Sequence, residues 1–392
     1  MHPDALAVMT RHLAAAGNPS ALHSSGRHAR RVVEEAREAV ARSLNARPRE
    51  VVFTSGGTES DNLALKGIYA ARRRSDARRT RVLTTAVEHP AVLEPARWLE
   101  QHQGASVELL PVDHNGELQV AALAAAIERD PASVALVSVM WANHEVGTLQ
   151  PIPEVVRIAH THRIPVHSDA VGAVGQVAVD YHRSGVDALT FTGHKLGGPQ
   201  GAGALITRTD LAFDAWLHGG GQERGIRSGT PGVAAIAGFA VAVEIAVRSQ
   251  PDNASRIARL RDALVRRTCS ELPDVSVNGY PCWSDRRLPG NANLHLPGCE
   301  GDSLVMLLDA HGIEVSTGSA CSAGQPRPSR ILLAMGAHES DARCNLRVTL
   351  GHTTTQAEVD AFVDAIGPVV ERARARSIGA GGLVRIQQRA GR

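Results

Sequence analysis

The stretch Phe191-Thr192-Gly193-His194-Lys195-Leu196-Gly197-Gly198-Pro199-Gln200-Gly201 decides how the rest of the chain is read. Its lysine follows a strand-like run, 187–191, and precedes an apolar run, 202–206. Most lysines are solvated surface charges. One held on a loop between two buried strands, among hydroxyls, a histidine and glycines that permit close backbone approach, is placed to be a reactive amine. Upstream, His167-Ser168-Asp169-Ala170 sets an aspartate at the end of another short apolar strand.

A lysine that can bond to an aldehyde and an aspartate that can reach a pyridinium nitrogen are what pyridoxal 5'-phosphate requires of a protein. Working outward, strand-like runs are expected at 51–53, 81–84, 107–110, 135–139, 165–167, 188–191 and 202–206, with helical patterns between most of them. Alternating βα units imply an α/β fold with a mainly parallel, seven-stranded sheet covered on both faces. Ligands of such sheets bind at the carboxyl ends of the strands, where these motifs fall.

At 392 residues the chain exceeds one simple core, so two domains are expected. The large cofactor-binding domain is expected over 12–250. A smaller α+β domain would take 1–11 and 251–376, with strands at 275–277, 292–295, 313–315 and 346–350. The end, 377–392, rich in Gly, Arg and Gln, is expected to be disordered. A net charge of +2 gives no pull toward nucleic acid or membrane. No apolar run approaches the roughly 20 residues of a membrane span, and the start lacks a signal-peptide pattern. Five cysteines, widely spaced and without a CxxC pair, argue against a disulfide scaffold or zinc site and for a reducing cytoplasm. His160-Thr161-His162 has metal-pair spacing but no acidic or Cys partner nearby in sequence, so no metal is expected there.

Further motifs carry chemistry. Thr54-Ser55-Gly56-Gly57-Thr58-Glu59-Ser60-Asp61-Asn62 joins the first core strand to a helix. It reads equally as an ordinary capped turn or as an anion cradle, whose glycines turn backbone N–H groups toward a phosphate at a helix N-terminus. Glu88-His89-Pro90 supplies an imidazole able to move protons near neutrality. Ser316-Thr317-Gly318-Ser319-Ala320-Cys321-Ser322-Ala323-Gly324 sets a cysteine among small residues, unlike the buried apolar setting of most free cysteines. An exposed thiol of that kind is a hazard unless it is used. Arg347 is either a plain strand arginine or a guanidinium fork for a carboxylate.

Together these stretches resemble the cysteine desulfurases, class V of the fold-type-I PLP enzymes, in the group whose reactive cysteine lies on a long loop. The resemblance runs from about residue 3 to about 370. It implies a sulfurtransferase that converts L-cysteine to L-alanine and leaves the sulfur as a persulfide on Cys321. It implies Lys195 as the covalent anchor of PLP and Asp169 as the partner of its ring nitrogen. His89 would stack on the ring and, with Lys195, shuttle a proton. Gly57, Thr58, Thr192 and His194 would hold the phosphate, and Thr230 would reach the phosphate of a second subunit, giving a homodimer with shared sites. Asn143 and Arg347 would bind substrate. A sulfur-acceptor protein would follow, in iron–sulfur cluster assembly or in tRNA or DNA thio-modification.

Two positions depart from the family. His144 stands where the family has Asn, and Gly172 where it has Gln; both usual residues serve the cofactor's phenolic oxygen, so His144 is expected to supply that donor. Met1-His2-Pro3-Asp4 falls after the family's usual opening strand. Two alternatives remain at this point: a lyase acting on selenocysteine or another β-substituted amino acid, and a degenerate, non-catalytic PLP-fold scaffold. Cys321 argues against the first, because simple elimination needs no mobile thiol.

Overall fold

The structure is a computed structural model and describes residues 1–15, 17–318 and 327–389. It divides into two units: 1–111, 118–142 and 150–251 form the first; 112–117, 143–149 and 252–392 form the second.

The first unit is built on β1 (Val51–Thr54), β2 (Arg81–Thr85), β3 (Ser106–Leu110), β4 (Val134–Ser138), β5 (Val166–Asp169), β6 (Ala188–Thr192) and β7 (Gly203–Thr207). They lie in the order β1-β7-β6-β5-β4-β2-β3. Neighbours from β6 to β3 pair parallel, whereas β7 runs antiparallel to both β6 and β1. The expected sheet is therefore present. Every residue of β4, β5, β6 and β7 is buried, which is why these strands read as continuous runs rather than alternations.

Its helices are α1 (Pro3–Leu13), α2 (Ser24–Ser43), α3 (Gly57–Ser75), α4 (Pro90–Gln103), α5 (Val120–Arg129), α6 (Ile152–Thr161), the short α7 (Tyr181–Ser184) and α8 (Val233–Arg248). Leu63 and Ile68 of α3 and Val92 and Leu99 of α4 pack with Val52, Val82 and Leu136 in one apolar core. Residues 1–11, expected with the small domain, lie in the first unit, because α1 packs along α8 and buries Ala5 completely.

The second unit opens with α9 (Gln250–Glu271), which runs through the expected linker; Pro251 sits in its first turn, where proline costs no hydrogen bond. An antiparallel sheet of β8 (Ser276–Val277), β9 (Asn291–His295) and β10 (Asn345–Thr349) packs with α10 (Gly301–Asp309) and α13 (Gln356–Arg389), while α11 (Arg330–Ala334) and α12 (Glu339–Arg343) lead into β10. The strand expected at 313–315 is reduced to a single bridge between Ser316 and Arg347. Segments 112–117 and 143–149, expected in the large domain, belong here by their bonds. Glu117 accepts from Tyr280 and Arg286, and the Glu145 carbonyl accepts from Asn291 and Asn293. The last helix reaches Arg389, through most of the tail expected to be disordered. No proline follows Pro368 to stop it, and Ala, Arg and Gln favour helix.

Candidate active site

The strand order explains how the motifs meet. Gly203 of β7 is paired to Thr54 on one side and Thr192 on the other. A Cβ at 203 would lie 2.7 Å from the Gly56 Cα, so glycine there lets the ends of β1 and β6 close together. Gly56 caps α3 with φ 154 and ψ −177, a backbone essentially reserved for glycine. The opening N–H groups of α3, among them those of Gly57 and Thr58, have no carbonyl of their own helix to reach. Beside them the buried Thr192 Oγ1 lies 3.1 Å from His194 Nδ1. Two strand ends thus bring backbone N–H groups and a hydroxyl together, an arrangement able to cradle an anion.

Lys195 closes a single 3₁₀ turn, 193–195, directly after β6, and its side chain stands exposed. One strand over, Asp169 ends β5 in register with Thr190. Asp169 is 5% exposed. Burial pushes its carboxyl up to about 6, although the Val171 N–H, 2.9 Å from Oδ1, and the charge of Lys195 pull the other way. His194 is held below its usual range by partial burial and by the Lys195 charge. An aldehyde-reactive amine, a buried acid and an anion cradle on adjacent strand ends fit the three ends of pyridoxal phosphate. Two strands further along the sheet, His89 follows β2 as the cap of α4; its Nδ1 accepts from the Ala91 N–H at 3.1 Å. That bond assigns the neutral ring's proton to Nε2. At Gly172 an added Cβ would meet nothing closer than the Ala142 carbonyl oxygen at 3.5 Å, so the place of the family's Gln is open.

Glu59 of the cradle helix is a special case. Partial burial works against its charge, but Arg227 at 2.7 Å and the Ser55 N–H at 2.7 Å outweigh it and hold the carboxylate below the usual range. The same segment, 219–230, is tied a second time: Arg37 meets Glu223 bidentately at 2.7 and 2.8 Å, and Glu223 also accepts from the Phe53 N–H. Glu223 and Arg224 both adopt positive φ, 45° and 61°. Thr230, at the end of this segment, is exposed.

In the second unit, Arg347 on β10 donates to the His144 carbonyl oxygen at 3.0 Å and to Ser316 Oγ at 3.3 Å. Asn143 is buried, and its Oδ1 accepts from the Glu145 and Val146 N–H groups at 2.9 Å, forming a side-chain-capped turn. His144 is half-buried on that turn. Cys321 lies outside the described residues. Of the other cysteines, Cys282 and Cys299 are buried, Cys269 and Cys344 half-buried, all as free thiols whose pKa burial raises.

Sequence reasoning missed a buried carboxyl group beside Asp169. Asp61 of α3 is fully buried, and burial together with the charges of Asp169 and Glu88 drives its pKa well up. His167 Nε2 lies 3.5 Å from Asp61 Oδ1 and 3.0 Å from Thr190 Oγ1, while Nδ1 lies 2.9 Å from Ser138 Oγ. Burial pushes His167 down to about 3, so the ring is neutral at working pH. Glu88 accepts from Thr85 Oγ1 at 2.8 Å and from the Met140 N–H at 2.9 Å. The period of two that puts His167 and Asp169 on one face of β5 was a usable signal for His167. Conversely, His160 does have an acidic partner: its Nε2 lies 2.8 Å from Asp187 Oδ2, and Asp187 also binds Arg208. His23 is a helix cap, accepting from the Gly26 N–H.

The aminotransferase class-V model matches residues 3–362. An IscS-like cysteine desulfurase of Mycobacterium tuberculosis is 51% identical over 385 residues, covering 98% of this chain and 97% of that one. This chain belongs to the cysteine desulfurase family. Its cofactor is therefore pyridoxal phosphate, in keeping with the cradle, amine and acid above. Cysteine desulfurase NifS of Azotobacter vinelandii is 40% identical over 91% of this chain and 87% of that protein. Among solved structures, a NifS-like protein superposes with a TM-score of 0.86 at 34% identity, covering 95% of this chain and 96% of the other. DndA from Streptomyces lividans superposes with a TM-score of 0.74 at 32% identity, covering 88% and 96%. Among the described residues no single helix is long and apolar enough to cross a membrane.

Proposed function

We propose that this desulfurase takes L-cysteine to L-alanine and retains the sulfur as a persulfide on Cys321. Bound pyridoxal phosphate supplies an electron sink for the substrate's carbon electrons. Lys195 anchors the cofactor, and Gly57, Thr58, Thr192 and His194 hold its phosphate. Asp169, as a carboxylate, keeps the ring nitrogen protonated. Thr230, exposed on one chain, completes the phosphate site of a second chain in a homodimer. His89 stacks on the ring and moves a proton at Nε2, because Nδ1 is already engaged by a backbone N–H. Arg347 takes the substrate carboxylate, and Asn143 holds the turn that borders it. His144 supplies the donor that Gly172 lacks.

The Cys321 thiolate attacks the substrate sulfur. An S–S bond forms as the substrate's C–S bond breaks, the electron pair stays with carbon, and protonation there completes alanine. The persulfide then passes to an acceptor protein, within a cytoplasmic route of sulfur supply.

The observation that carries this reading is the pairing on adjacent strands of a buried Asp169 with Lys195 close enough for its charge to act on the acid. Incubating the holoenzyme with L-cysteine tests it. Intact mass should show one added sulfur, mapping to Cys321, with alanine released; alanine without sulfur at Cys321 would overturn it.

A further inference from the structure

Glu145 is a buried carboxyl that the proposed chemistry does not use, 5% exposed in the second unit. Its Oε2 accepts from Ser329 Oγ at 2.6 Å. The same carboxyl lies against Gly318, where an added Cβ would run into Oε2 and force the carboxyl to move. Gly318 donates its N–H to Asn345 Oδ1 at 3.1 Å, and Asn345 donates from its amide to the Ala342 carbonyl at 2.7 Å. Ser329 donates its own N–H to that same carbonyl at 3.0 Å. Gly318 and Ser329 are the residues from which the Cys321 segment departs and to which it returns.

We propose that Glu145 is a positioning residue for sulfur transfer: one buried carboxyl gathers both roots of the Cys321 segment and so fixes the radius within which the thiol works. Cys321 follows Gly318 by three residues in the sequence. The root must then be held still, because a misplacement of the order of an ångström is felt directly in a transfer step. The charge is balanced locally. Burial raises the Glu145 pKa, and Ser329, Arg347 and Arg330 draw it back. Ser329 is also committed on its other side, since its Oγ caps α11 by accepting from the Leu332 N–H at 3.2 Å. A single hydroxyl thus ties the helix that follows the segment to the carboxyl that touches its start.

This inference rests on Cys321 being the thiol that receives sulfur. The test is rapid-quench single turnover of the holoenzyme with L-cysteine. One channel reads the substrate-induced change in cofactor absorption, the other the persulfide on Cys321 by mass. In Glu145→Ala, persulfide formation should slow about tenfold or more, the scale of one charge-assisted hydrogen bond, with the absorption change within about threefold of normal. Glu145→Gln keeps an acceptor oxygen for Ser329 and should stay within about threefold in both channels. Ser329→Ala should also slow transfer, and the double Ala variant should be no slower than the slower single one, because both remove the same contact. The clamp is overturned if Glu145→Ala transfers at the normal rate, if both channels slow equally, if Gln behaves as Ala, or if the two Ala effects add. A normal chain that carries no sulfur at Cys321 would instead overturn the proposed function.

Discussion

The cofactor end of the first unit and the Arg347 side of the second treat buried acids differently. In the first, Asp61 of α3, Glu88 just beyond β2 and Asp169 at the end of β5 lie buried close enough for the charges of Asp169 and Glu88 to act on Asp61, and Lys195 acts on Asp169. Like charges in a dry pocket cannot all ionise, so a proton must remain on one of them. Burial and the charges of Asp169 and Glu88 drive Asp61 well up, which favours its holding that proton, while burial pushes Asp169 up to about 6. In the second unit burial raises Glu145 on balance, while Ser329 and two arginines oppose that rise and no second carboxyl adds to it. The first arrangement trades stability for a tuned acid; the second uses an acid as a fastening.

The comparison breaks most decisively at the cofactor. Replacing Lys195 by Ala should lower turnover at least about 10³-fold, since a covalent group is removed, while thermal unfolding of the apoprotein moves little. Retained turnover would remove the first region's claim to the chemistry. Arg347→Lys comes next: it keeps the charge but loses the fork, and KM for L-cysteine should rise about tenfold or more with a smaller change in kcat. A fall in kcat alone would place Arg347 elsewhere than on the substrate carboxylate. Third, kcat/KM should fall as pH drops through about 6, where Asp169 takes up a proton, and a limb near 4 would show the acid is less buried than described.

The smallest effect concerns Asp61. Its folded pKa lies above the unfolded value of about 3.9, so its contribution to stability is present below that value and lost as pH rises toward the folded one. Asp61→Asn should leave the acid limb near 6 and flatten the decline in the melting temperature as pH rises above about 4. An unchanged decline would mean that Asp61 is not the proton holder.

Much of the first unit was legible because its strands are buried on both faces and its glycines sit where two strand ends must touch. The runs at 188–191 and 202–206 could hardly have been anything else. Asp61 and Glu88 were not legible, because a carboxyl inside a helix or after a strand carries no mark of burial until its neighbours are known. The second unit was less readable throughout. Glu145, Gly318, Ser329 and Asn345 meet across nearly the whole length of that unit's chain, and no local period joins them. The run 313–315 has strand composition but pairs only at Ser316, where the Arg347 backbone takes it up.

The segment from Gly219 to Thr230 is knotted down twice, by Arg37 on Glu223 and by Arg227 on Glu59, with two residues already turned into the left-handed region. Such a stretch has surrendered its freedom before any second chain arrives. In the proposed homodimer, association through it would carry a small ordering penalty, and its affinity should depend on salt through these internal ties as much as through contacts with the neighbour.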